Sequence, residues 1–259
     1  MDYQFIDPEQ LTSLYPEDEG EIVRAAQHDP AAFLLLFRHY LEPVYRYLYQ
    51  RAGNTPAAED LTTRTLLAMR SGLAGYREKS PFSAWLFAIA RQAAESQLRR
   101  QPSASPRPLH LRAGDEDLGM LAELIERLEP GERELVQLRY AGGLSPSSIA
   151  HLFRRKAEAV ESSLEDILAR TLTGLRDYQL EPPEDGQQWI VRRLERLYAL
   201  AEPDAEFAAR LEGQALAAES ERPTRLQQRV RKALSRVRTR AWTLLLGVLL
   251  ALALPVLLV

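Results

Sequence analysis

The side chains best suited to binding chemistry lie at positions 80–100, SPFSAWLFAIARQAAESQLRR. Apolar residues recur there at steps of three and four, which predicts a helix with one buried face. The apolar face carries Phe82, Trp85, Leu86, Phe87 and Ile89, and the polar face carries Arg91, Gln92, Ser96, Arg99 and Arg100. Cations attract phosphates and splayed bases can be read individually, so the polar face suits a strand of nucleic acid. An ordinary amphipathic core helix has the same periodicity, so spacing alone leaves both interpretations open.

Metal and thiol chemistry have little support in the composition. The 259 residues include no cysteine, so there is no disulfide, thiolate ligand or thiol nucleophile. The four histidines (His28, His39, His110 and His151) are scattered and lack metal-ligand spacing. We therefore predict no metal site.

The elements that position these side chains are predicted to be helical throughout. No strand-like alternation or internal repeat occurs, and the composition, 46% hydrophobic and 27% charged, is globular. The predicted fold class is all-α, with two helical modules joined by a linker. The predicted segments are an acidic N-terminal segment (1–20), a first helical module (21–101), a linker (102–117), a second helical module (118–178), a helical juxtamembrane extension (179–240) and a transmembrane helix (241–259).

The C-terminal segment, AWTLLLGVLLALALPVLLV, has no charged residue over 19 positions. A helix of that length is about 28 Å long, close to the hydrocarbon thickness of a bilayer. Eight basic and no acidic residues lie between Arg222 and Arg240, and such a flank stays in the cytoplasm. We therefore expect a single-pass protein of the inner membrane, with its N-terminal domains in the cytoplasm.

The first module resembles region two of extracytoplasmic-function (ECF) sigma factors of bacterial RNA polymerase. The resemblance rests on the order Phe-x-x-Trp-Leu-x-x-Ile-Ala-Arg, followed by Leu-Arg-Arg, within residues 82–100. In that family the helix melts and reads the minus-ten promoter element, and the preceding loop captures a flipped base. The resemblance implies DNA contacts by Tyr76, Arg77, Lys79, Arg91, Gln92, Arg99 and Arg100. Tyr76 would stack on a base, and the arginines and lysine would contact phosphates.

A second motif in this module, Ala58-Glu59-Asp60-Leu61, resembles the start of the family's docking motif for RNA polymerase. There an acidic amphipathic helix meets a basic coiled coil. The resemblance implies polymerase contacts by Glu59, Asp60, Leu61, Thr63 and Arg64. Arg64 stands where the family usually has glutamate, which reverses one charge at a contact that depends on charge complementarity.

The second module resembles sigma region four, which contains a helix-turn-helix. The similar stretches are LIERLEP at 124–130 and ERELVQLRY at 132–140, followed by Gly143-Leu144-Ser145. Ser145 is predicted to cap the next helix, with Pro146 at its first position. The recognition helix is predicted at about 158–167.

The predicted recognition helix departs from the family in its charge. The family places cations there to meet the minus-thirty-five element, whereas this chain has Glu158, Glu161, Glu165 and Asp166. Carboxylates repel the DNA polyanion. The preceding Arg154, Arg155 and Lys156 are predicted to hold the DNA backbone.

These features predict a membrane-tethered ECF-type sigma factor that binds core RNA polymerase and promoter DNA, with no enzymatic activity and no cofactor. The alternative is a sigma-derived membrane regulator that binds polymerase or another sigma factor without selecting promoters. The acidic recognition helix and Arg64 favour the alternative, and the intact motif at 82–91 favours the sigma factor. A plain helix-turn-helix transcription factor would not explain the first module. Membrane lipid and an anti-sigma factor are further expected partners.

Overall fold

The computed structural model describes residues 19–100, 116–178 and 185–220, and every regular element in these ranges is helical. This confirms the all-α fold class for the described part of the chain. A π-helical turn, Gln137–Ala141, follows the sixth helix. The helices are α1 (Glu19–Ala26), α2 (Pro30–Ala52), α3 (Thr55–Leu73), α4 (Phe82–Arg100), α5 (Glu116–Glu126), α6 (Pro130–Val136), α7 (Pro146–Phe153), α8 (Ala157–Asp177), α9 (Gly186–Ala199) and α10 (Ala205–Ser220).

Local capping signals explain the boundaries of α2 and α3. Asp29 accepts a hydrogen bond from the backbone of the first turn of α2 at 2.9 Å, and Pro30 begins that turn. Gly53 ends α2 with a φ of 72°, a conformation that favours glycine. Asn54 then caps α3, which begins at Thr55, by accepting a hydrogen bond from the Ala57 backbone nitrogen at 2.9 Å. The turn between the two helices therefore supplies both the end of α2 and the start of α3.

Helices α1 to α4 pack around an aromatic core. The predicted amphipathic face of α4 is confirmed, because its aromatic and aliphatic side chains are mostly buried against α2 and α3. The largest buried side chains of this core are Phe33, Phe37, Tyr45, Tyr47, Leu48, Leu61, Leu66, Met69, Leu73, Leu86 and Phe87. The bundle therefore holds the loop between α3 and α4 on a rigid support.

Helices α5 to α8 form the second module and include the predicted helix-turn-helix. Ser145 caps α7 by accepting a hydrogen bond from the Ser148 backbone nitrogen at 3.1 Å, as predicted. Helix α8 is longer than predicted, because its apolar stripe continues beyond residue 167 and the helix ends at Asp177. The apolar face expected for α8 is buried and consists of Val160, Leu164, Ile167 and Leu168.

The extension after the second module forms α9 and α10, separated near Pro203 as predicted. Helix α9 is joined to α5 by Arg193, whose Nε lies 2.6 Å from Asp117 Oδ2. The described residues up to Leu216 belong to one compact unit, and the last turn of α10 belongs to a second. Within the described ranges, no helix has the length and apolarity needed to cross a membrane. The predicted span at 241–259 lies outside those ranges.

Candidate functional site

The loop between α3 and α4 carries Tyr76 inside a ring cluster. The Tyr76 ring lies 5.3 Å from both the Phe82 and Trp85 rings, and the side chain is largely buried. Its hydroxyl donates to the Ser80 carbonyl at 2.5 Å. Burial raises the pKa of Tyr76, so the hydroxyl stays protonated. Stacking of Tyr76 on a base stays a prediction, and in this structure the ring's partners are aromatic side chains.

Helix α1 supports this loop from one side. The Gln27 amide donates to the backbone carbonyls of Leu73 and Tyr76 at 3.2 and 3.1 Å. Arg24 and Glu78 form an exposed ion pair at 3.2 Å. These contacts hold the loop backbone in place, which a base-capturing loop requires.

A cleft of about 330 Å³ opens beside the loop. The cleft is lined by residues of the loop, of α1 and of the start of α4, and by one residue of the second module, His151 on α7. Arg77 and Lys79 are exposed, and Arg77 donates to the carbonyls of Ala74 and Tyr76 at 3.1 Å. Lys79 therefore lies on the wall of the cleft together with the carboxylates of Glu19 and Glu78, and Arg77 is exposed in the same loop.

The predicted DNA contacts on α4 have different surroundings. Gln92 is exposed. Arg91 instead pairs with Glu134 of the second module, with its Nε 2.9 Å from the carboxylate, and lies 4.7 Å from the Phe153 ring. Arg99 and Arg100 lie in the last turn of α4, but their side chains are outside the described part of the structure.

Glu134 is a buried carboxylate at the contact between the two modules, and no sequence pattern predicted its role. The Glu134 carboxylate pairs with Arg91 and accepts a hydrogen bond from the Tyr47 hydroxyl at 3.1 Å. Arg51 lies farther from it, at 4.0 Å. Burial and then the Glu134 charge raise the pKa of Tyr47, so its hydroxyl remains a donor. Glu134 therefore joins α2 and α4 to α6 through charged hydrogen bonds.

The helix-turn-helix packs directly on α4. Ser83 and Ser148 are hydrogen-bonded at 2.9 Å, and Gly142 lies so close to Phe87 that a Cβ there would be 2.6 Å from the ring. Of the predicted DNA-reading face of α4, Arg91 contacts the second module through Glu134, whereas Gln92 stays exposed.

The turn before the recognition helix carries the three predicted backbone-binding cations, and all three are exposed. Arg154 has a φ of 54°, a left-handed conformation that is strained for a residue with a side chain. Arg155 bonds along α8, donating to the Ala159 carbonyl at 3.1 Å and the Ser163 hydroxyl at 2.9 Å. Lys156 precedes α8.

The outer surface of α8 is acidic, as the sequence predicted. Its exposed carboxylates are Glu158, Glu161, Glu165 and Asp166. Helix α8 packs against α5, α6, α7 and α9, and these carboxylates lie on its solvent-exposed side.

The predicted polymerase motif lies on α3, and its members are not equally accessible. Leu61 is buried in the bundle core. Asp60 and Arg64 pair with one another at 2.6 Å across one helical turn, so the cation that departs from the family neutralises an adjacent acid. Glu59 is partly buried and lies 3.8 Å from Arg210 of α10. Thr63 is half-buried.

No group of histidine or acidic side chains in the described ranges has the arrangement of a metal site. What the described side chains offer is binding chemistry: an aromatic cleft with cations, an acidic helix face and a polar contact between two modules.

A known protein family matches the part of the chain that forms this bundle. The family Sigma-70 region 2 matches residues 36–103, which cover most of α2, α3 and α4. Residues 36–103 are therefore similar to a sigma-70 region 2 domain.

Two curated sigma factors are similar in sequence to this chain. Over 174 residues the chain is 31% identical to the ECF RNA polymerase sigma factor BldN of Streptomyces coelicolor, covering 60% of this chain and 64% of BldN. Over 55 residues it is 34% identical to the RNA polymerase sigma factor YlaC of Bacillus subtilis, covering 21% of this chain and 32% of YlaC. The matches thus span less than two thirds of either relative. They support the ECF sigma factor family, whose members are transcription initiation factors and not enzymes.

Among solved structures, the chain is similar to one described as the structure of CnrH in complex with the cytosolic domain of CnrY. The sequence identity is 22%, the match covers 61% of this chain and 96% of the other, and the TM-score is 0.47.

Proposed function

We propose that this protein is an ECF-type sigma factor, tethered to the inner membrane by residues 241–259, that binds core RNA polymerase and opens a promoter. The observation that carries the proposal is the region 2 match over α2 to α4. In this bundle the acidic motif on α3 and the aromatic cleft with its loop cations lie on one rigid support. The expected partners are core RNA polymerase, promoter DNA and anionic lipid, and an anti-sigma factor is a further candidate.

Transcription from a promoter library tests this function directly. The full chain, reconstituted in lipid nanodiscs with core RNA polymerase, should produce discrete transcripts, whereas core polymerase alone should not. Absence of transcripts, together with stable binding of polymerase, would support the regulator described below instead.

The role of the α4 cations is tested by salt dependence. Replacing Arg99 and Arg100 with alanine should lower the slope of log affinity for single-stranded DNA against log salt by up to about 0.7 per lost phosphate contact. The control replaces Arg127 and Arg192, which are exposed elsewhere, and its slope should match that of the unmodified chain. Equal slopes for all three proteins would show that Arg99 and Arg100 are not phosphate contacts.

A sigma-derived regulator that does not select promoters is the second candidate, and the exposed carboxylates of α8 favour it. If these charges repel DNA, Glu161→Lys should raise the affinity of the full chain for duplex DNA. The same change at Glu195, an exposed residue of α9, is the control and should have a smaller effect. Tight, sequence-specific duplex binding by the unmodified chain at physiological salt would instead favour promoter recognition by α8.

The membrane tether is tested by fractionation. The full chain should remain with membranes in high salt, because insertion of an apolar span does not depend on charge. A chain ending at Arg240 should be released by salt, because its basic flank contributes only about 1 kcal/mol per charge on anionic lipid. Recovery of the full chain in the soluble fraction would contradict the tether.

A further inference from the structure

The C-terminal extension places α10 on the region 2 bundle. Three side chains of α10, spaced four residues apart, are buried: Phe207, Leu211 and Ala215. The Phe207 ring lies 6.1 Å from the Tyr45 ring of α2. Residues between these positions, such as Gln214, are exposed. Helix α10 is therefore amphipathic, and Phe207 of its apolar stripe packs on α2.

Ion pairs fix the position of α10. Arg38 on α2 makes a two-pronged contact with Glu212, with nitrogen–oxygen distances of 2.8 and 3.0 Å. Both side chains are partly buried. A planar guanidinium paired in this way defines orientation as well as distance. Arg46 and Glu202, just before α10, approach at 3.9 Å.

A third pair connects α10 to the predicted polymerase motif. Arg210 lies 3.8 Å from Glu59, the first acidic residue of that motif on α3. The sequence resemblance implies that this acidic helix docks on a basic coiled coil. In this structure Glu59 likewise faces a cation, Arg210, on an amphipathic helix.

We propose that α10 occupies the Glu59 end of the polymerase-docking surface of region 2 in cis, so that core RNA polymerase must displace α10 before it can bind Glu59. The inference rests on the proposed function, because it takes the α3 motif as the docking surface. A surface that its own helix covers binds an external partner more weakly, in proportion to the fraction of molecules in which it is open.

The test compares the affinity of core RNA polymerase for the full chain and for variants of α10 in nanodiscs. The release variant carries Phe207→Ala and Leu211→Ala, and its control carries Ala209→Ser and Gln214→Ala, at exposed positions of the same helix. The release variant should bind polymerase about tenfold more tightly, the change expected if one molecule in ten is open in the unmodified chain. The control should bind as the unmodified chain does.

A second pair of variants avoids removing core side chains. Glu212→Arg breaks the pair with Arg38, and Glu195→Arg makes the same charge change at an exposed position of α9. Tighter polymerase binding by the first alone would support the proposal. Hydrogen exchange adds a direct readout, because α10 amides should lose protection when polymerase binds the unmodified chain.

The outcomes separate the inference from the proposed function. Equal polymerase affinities for all the proteins, or α10 amides that stay protected in the polymerase complex, would overturn the cis contact and leave the sigma function intact. Failure of every protein, including the release variant, to bind polymerase would overturn both.

Discussion

The contact between Arg91 and Glu134 allows a quantitative prediction, because it joins the two modules through a buried carboxylate. The Glu134 side chain is 8% exposed and that of Arg91 is 31% exposed. Glu134→Ala leaves Arg91 with only the more distant and more exposed Glu95, at 3.6 Å, and removes the acceptor of the buried Tyr47 hydroxyl. Breaking a fully buried pair costs about 3–5 kcal/mol. Arg91 can recover part of its hydration, so we expect a loss of about 2–3 kcal/mol in the free energy of unfolding, within the range for hydrogen bonds to charged groups.

A double-mutant cycle measured by urea denaturation isolates the pair from other effects of truncation. Combining Glu134→Ala with Arg91→Ala should reveal a coupling energy of about 1.5 kcal/mol. The exposed pair of Glu123 and Arg127, one helical turn apart on α5 and just after it, is the control. Its coupling energy should be about 0.3–0.5 kcal/mol. A value for the Arg91 pair no larger than that of the control would refute the argument that Glu134 holds the modules together.

Three further predictions follow from backbone conformation, close packing and titration. Arg154→Gly should raise the free energy of unfolding by about 1 kcal/mol by removing left-handed strain, while Lys156→Gly, at a φ of −80°, should not raise it in urea denaturation. Gly142→Ala should lower the melting temperature, since overpacking costs about 1–3 kcal/mol. Gly131→Ala should leave the melting temperature nearly unchanged, because a Cβ at Gly131 would meet open space. Equal shifts for the two variants would refute the packing argument. The pKa of Tyr47 is raised in the folded chain, so the unfolded chain loses this proton first and the free energy of unfolding should fall as the pH rises above about 10. Tyr47→Phe should make this fall shallower by up to about 1.4 kcal/mol per pH unit. An unchanged dependence on pH would contradict the prediction.

Helix positions and boundaries were largely predictable from the sequence because the interactions that set them are local. Asp29 with Pro30 and Ser145 with Pro146 begin helices through hydrogen bonds that span two or three residues. The apolar stripe of α8 was predicted from spacing alone, because helix geometry places those residues on one face. The main difference, the longer α8, occurs where no proline or glycine stops the helix near residue 167.

The chemical types of the candidate site were also predictable, but the partners of its side chains were not. A cation on an amphipathic helix pairs equally well with a phosphate or a carboxylate. Arg91 pairs with the Glu134 carboxylate, which lies 43 residues away in the sequence. Tyr76 was predicted to stack on a base, yet in this structure its ring packs among Phe82 and Trp85.

By itself, the sequence determined the helical structure of residues 19–100, 116–178 and 185–220, a motif similar to region 2, an acidic α8 surface and a cation-bearing α4, since these follow from residue type, residue order and short-range periodicity. Tertiary structure alone decided that the second module covers part of α4 and that α10 lies against Glu59. The Arg38–Glu212 contact joins residues 174 positions apart. Pairings at that distance depend on how packed helices bring side chains together, which no local pattern of residues specifies.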